Sequence, residues 1–147
     1  MKDVTLKDIY CNTNNVPVPS AVSVKGGDTV TFEWYHDNPG DNDLATSHKG
    51  PITVYIAPRS SNGEGHVWTK IAHDGLNPVD KKWATERLYD NGGKHDVKLP
   101  PQLSPGEYLQ ESISSGQKLL PSTRQTQTIM SIPIEAPSSI HRVPKSR

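Results

Sequence analysis

Every aromatic side chain of this 147-residue chain lies at or before Tyr108. Residues 110–147 contain none, and they hold 10 of the 47 hydrophobic residues alongside 4 Pro and 8 Ser. Aromatic rings bring more buried apolar area per residue than any other side chain. A substantial core can therefore close only over the first part of the chain. The expected organisation is one domain over residues 1–109, followed by a tail over 110–147 whose composition makes disorder the default. Charge narrows the partners. Sixteen basic and sixteen acidic side chains cancel, which excludes a strongly basic nucleic-acid binder. No apolar run approaches the roughly 20 residues of a membrane span. Neither nucleic acid nor membrane is an expected partner.

Within the first 109 residues the hydrophobic period is two. Val30, Phe32 and Trp34 alternate with Thr29, Thr31 and Glu33, the pattern of a half-buried strand. Gly26-Gly27-Asp28 reads as a turn, and Ala21–Val24 before it as a possible partner strand. Ile52, Val54 and Ile56 alternate with Thr53, Tyr55 and Ala57 between Pro51 and Pro58, and proline is tolerated at such strand ends. His66–Ile71 and His95–Leu99 read as shorter strands, and Glu107–Gln110 as the start of another. One short helix is expected, capped by Asp80, ending at Asp90 and stopped by Asn91-Gly92-Gly93. Several short strands separated by turns indicate an all-β sandwich. Its loops, Tyr35–Gly50 and Arg59–Gly65, are long and polar, as functional loops on β scaffolds tend to be.

Chemistry is harder to place. Histidines 36, 48, 66, 73, 95 and 141 form no His-x-x-x-His pair, and the lone Cys11 can make neither a Cys-x-x-Cys motif nor an internal disulfide. There is no phosphate-binding glycine loop and no Gly-x-Ser-x-Gly elbow. No catalytic residue can be picked from spacing alone. His48 stands out by position, in Ser47-His48-Lys49-Gly50-Pro51 at the end of a polar loop and directly before a strand. A strand end anchors a side chain more firmly than mid-loop does. By position alone, the simpler role is a histidine that caps the strand and bonds to the loop.

The order of several segments goes further than any one of them. Asp8-Ile9-Tyr10-Cys11-Asn12, Gly27-Asp28-Thr29-Val30-Thr31-Phe32-Glu33-Trp34 and Ser47-His48-Lys49-Gly50-Pro51 followed by Val54-Tyr55-Ile56 resemble fungal lytic polysaccharide monooxygenases. The group they resemble is auxiliary activity family 9, formerly glycoside hydrolase family 61. Trp68-Thr69-Lys70-Ile71, Asp74-Gly75, Asn91-Gly92-Gly93 and Leu103-Ser104-Pro105-Gly106-Glu107-Tyr108-Leu109 continue the resemblance in the same order, so that it runs from about Asp3 to Leu109. It implies an immunoglobulin-like or fibronectin-like β-sandwich with long loops. It implies a secreted copper enzyme that oxidatively cleaves β-1,4-glucan, chiefly cellulose, with an external electron donor and oxygen or hydrogen peroxide. The copper of this family sits in a brace made by the amine and ring of an N-terminal histidine and by one internal histidine. His48 matches the internal ligand. Imidazole nitrogen suits copper, and a tetragonal nitrogen set leaves positions open for the oxidant.

The resemblance also marks what these 147 residues do not match. The chain begins with Met1, no histidine precedes His36, and no apolar signal segment is legible. From Gln110 onward there is no Gln-x-Tyr and no second cysteine, whereas the family continues into a strand bearing the axial tyrosine and the disulfide partner expected for Cys11. The expectation is a sandwich incomplete at both ends, inactive as written. Its alternatives are a non-catalytic sandwich that binds polysaccharide through aromatics such as Tyr35, Tyr55 or Trp68, whose simpler role is packing, and an intracellular β-sandwich interaction protein.

Overall fold

The computed structural model describes residues 21–35, 38, 40, 46–114 and 130–134. Cys11, His36 and His141 lie outside these residues.

Strand β2, Ile52–Pro58, carries the fold. Ile52, Val54 and Ile56 are buried as their alternation predicts, and Ala57 on the other face is buried too. Both edges of β2 are paired, because it is internal to a sheet of order β3-β2-β5-β6. Its antiparallel neighbours are β3 (Thr69–Asp74), with a bulge between Val54 and Tyr55, and β5 (Gly106–Ser114), beyond which lies β6 (Met130–Ile134). Among the described residues the second sheet has two strands, β1 (Thr29–Glu33) and β4 (Lys94–Lys98). Val30, Phe32, Trp34, Val97 and Leu99 from this sheet meet Ile52 and Val54 from the first in one core. Helix α1 (Ala84–Asp90) adds Ala84 and Leu88 to it. The architecture is a β-sandwich, and among the described residues no helix is long and apolar enough to cross a membrane.

Three expectations shift. Strand β1 pairs with β4 rather than with Ala21–Val24, because Val30 falls opposite Val97 and both point into the core. The pairing continues past the strand ends, where Leu99 N–H donates to Asp28 O at 2.8 Å and Gly27 N–H to Leu99 O at 3.2 Å. The turn before β1 forms as expected, with Lys25 N–H donating to the Asp28 carboxylate at 2.9 Å. Strand β3 begins at Thr69 instead of His66. Trp68 Nε1–H donates to Gly63 O at 2.9 Å, which folds residues 66–68 back over a turn where Asn62 and Gly63 both have positive φ. The helix is capped at Trp83, not Asp80. Asp80 instead accepts the Lys82 N–H at 2.9 Å, next to Lys81 at φ 58°, so the chain is still turning there.

Strand β5 starts where Glu107–Gln110 indicated. It passes through Leu109 without interruption to Ser114, and residues 130–134 pair along Gly106–Gln110. The boundary expected at Leu109 therefore falls inside a strand. Its register sets Gln110 opposite Ile56.

Candidate functional site

His48 lies where the loop before β2 meets α1. Its neighbours Lys49 and Gly50 are each fastened to the first turn of that helix. Gly50 N–H donates to Thr85 Oγ1 at 2.9 Å, and Thr85 N–H donates back to Gly50 O at 3.2 Å. The Thr85 amide is one of the first-turn donors that a helix cannot satisfy internally, so this bond serves both segments. Lys49 Nζ pairs with Glu86 Oε1 at 2.9 Å, and Glu86 Oε2 accepts the Trp83 N–H at 2.9 Å. These bonds hold the Glu86 carboxyl below its usual pKa, the Trp83 amide contributing most and Lys49 next.

The half-buried His48 borders a cleft of about 160 Å³ with Thr46, Lys82, Thr85, Glu86, Tyr89 and Asp90. Within this lining Lys82 Nζ bonds Asp90 Oδ2 at 2.6 Å, and that bond raises the Lys82 pKa. Arg87, one turn along α1, pairs with Asp74 at the end of β3 and bonds Lys82 O at 2.6 Å. The helix bearing the cleft is thus tied to both its preceding loop and the sheet.

The remaining described histidines stand elsewhere. His66 and His73 are exposed, and His95 is half-buried in β4 with its ring edge-to-face against Trp34, 6.5 Å between centroids. Among the described residues no group of three or more His, Cys, Asp and Glu converges in a way that could hold a metal. These residues supply one imidazole at the cleft and do not by themselves fit a copper site. Of the aromatics weighed for polysaccharide binding, Tyr35, Tyr55 and Trp68 are all half-buried. Trp68 packs on its own turn, where a Cβ at Gly63 would come within 2.9 Å of its ring.

Position before a strand singled out His48 but not its supports. Glu86 stands three residues after Trp83, a position from which helix-start carboxylates reach back to the cap amide; that signal was legible. Thr85 carries no local signal, because its partner lies 35 residues away.

Residues 1–114 match the family described as Auxiliary Activity family 9 (formerly GH61). An AA9 family lytic polysaccharide monooxygenase A of Armillaria gallica is 52% identical over 109 residues, covering 74% of this chain and 42% of that protein. The enzyme of the same name from Aspergillus flavus is 49% identical over 109 residues, covering 73% and 29%. The solved structure CvAA9A superposes with a TM-score of 0.70 at 41% identity, covering 76% of this chain and 51% of that one. Cel61B of Hypocrea jecorina, a glycoside hydrolase family 61 member, shares the fold with a TM-score of 0.69 at 22% identity, covering 90% and 59%. The chain spans under half the length of these two curated relatives. It belongs to Auxiliary Activity family 9.

Proposed function

We propose that these residues form part of a secreted, copper-dependent monooxygenase that oxidatively cleaves β-1,4-glucan, cellulose above all, using an external electron donor and oxygen or hydrogen peroxide. The observation that carries this reading is His48 on a loop end fixed to α1 at Lys49 and Gly50, within a segment that matches the family throughout. In this reading His48 is the internal copper ligand. Copper, once held, would supply the redox chemistry. The chain's own residues orient one imidazole and keep its loop from swinging. Cys11 is the thiol that a disulfide of the whole protein would use.

The same reading sets a limit on residues 1–147 taken alone. His48 is the one brace ligand that the resemblance assigns among them. A single imidazole binds copper far more weakly than a chelating set does. A polypeptide of these residues alone is then inactive on cellulose.

A chimera tests the function. The 109 residues matched in the Armillaria gallica relative are replaced by those of this chain, and the product is incubated with cellulose, Cu(II) and ascorbate. Oxidised gluco-oligosaccharides are expected by mass spectrometry, and none from the His48→Ala chimera. A folded chimera without oxidised products, or one that keeps full activity without His48, would overturn the proposal.

A further inference from the structure

Gly50 is the most permissive residue between His48 and β2. With no Cβ, it reaches backbone conformations closed to other residues. Directly after it, Pro51 is fixed in φ, and Ile52 is fully buried in β2. A swing of His48 relative to the sheet turns on Lys49 and Gly50, and Gly50 is the more permissive of the two. Both its backbone polar groups end on the same residue: its N–H on Thr85 Oγ1 and its C=O on the Thr85 N–H. Pinning the N–H fixes the peptide plane between residues 49 and 50. Pinning the C=O fixes the plane between 50 and 51. Together they restrain both soft torsions of Gly50, the most permissive residue between His48 and the sheet.

Two contacts compete for the credit. The Lys49–Glu86 pair involves side chains 56% and 23% exposed, and ion pairs so open to water contribute little. Thr85 is 2% exposed. Removing its hydroxyl would leave the Gly50 N–H buried without an acceptor, a far larger penalty.

We propose that Thr85 is the positioning residue for His48, acting through its double hydrogen bond to Gly50. This inference rests on His48 being the functional side chain of the cleft. Thr85 touches neither substrate nor metal in this role. It selects one conformation of the glycine that follows the ligand by two residues.

The test uses the 147-residue protein without metal and follows the His48 ring by NMR. Thr85→Val keeps the shape and removes the acceptor, while Thr85→Ser keeps it. In T85V the His48 ring resonances are expected to broaden or double, while the methyl resonances of Leu88 and Val97 stay in place. T85S restores a single sharp set. Should T85V lose those core methyl signals, Thr85→Ala takes its place with the same two outcomes. Unchanged His48 resonances in a folded T85V or T85A variant overturn the proposal, as does a T85S variant that behaves like T85V. Adding Cu(II) alone then separates the two ideas. A threefold or greater loss of apparent affinity in T85V but not T85S agrees with positioning of a ligand. Affinity indifferent to His48→Ala removes the ligand reading, whereas the metal-free spectra continue to judge Thr85.

Discussion

Trp34 and Gly93 are in backbone contact: Trp34 N–H donates to Gly93 O at 2.8 Å, and a Cβ at Gly93 would collide with the Trp34 carbonyl. Gly93 also has a φ of 79°, where side chains other than hydrogen are strained. This is the junction at which α1 ends and β4 begins against β1. Gly93→Ala is expected to lower stability by about 2–4 kcal/mol, combining left-handed strain with the collision. Gly92 has a φ of 64° with nothing near its Cβ position, so Gly92→Ala should show the strain alone, about 1 kcal/mol. Urea unfolding of the two variants separates the contributions. Equal losses would mean that the approach to Trp34 carries no weight.

Gln110 gives the opposite sign. It is fully buried opposite Ile56, and its Oε1 has no hydrogen-bond partner among the described residues. A buried amide oxygen left unpaired costs about 1–3 kcal/mol. Gln110→Leu should stabilise the protein by about that amount, read as a higher midpoint in guanidinium chloride with an unchanged slope. A lower midpoint would show that the amide is satisfied in solution.

His95 sets a pH dependence. Burial is the main influence holding its pKa below the ordinary 6.5, with Arg87 acting the same way and Asp74 and Asp96 opposing. On acidification the unfolded chain therefore takes up this proton before the folded one. Stability from this group is complete above the unfolded value and is lost as pH falls from there through the folded value. Thermal unfolding between about pH 7.5 and 5 should show a falling Tm, with a smaller fall in His95→Gln. The carboxylate of Glu86 acts only below its ordinary 4.5, outside that window. Identical slopes for the two proteins would contradict the assignment.

The sequence made β1 and β2 legible because one face of each is apolar at period two and their neighbours mark the ends. The β3 start was not legible, since the Trp68–Gly63 bond that delays it depends on a positive-φ turn rather than on hydrophobic pattern. For the helix, Asp80 offered a suitable capping side chain, but Lys81 at φ 58° keeps the chain out of helical geometry until Trp83. For β5 only the start at Glu107–Gln110 was legible, because backbone pairing with β2 continues to Ser114 opposite Ile52 even where the side-chain pattern turns polar. At the site, His48 was visible as a residue, whereas the bond that fixes its loop joins positions 35 apart and leaves no trace in spacing.

The central claim is that His48 is the copper ligand supplied by these residues. Titrating Cu(II) into the 147-residue protein and its His48→Ala variant, with EPR at each step, tests it most directly. The expected result is weak binding with imidazole nitrogen coupling in the parent, diminished in the variant, and no three-nitrogen tetragonal signature in either. A tight one-to-one site with that signature, unchanged by loss of His48, would contradict it.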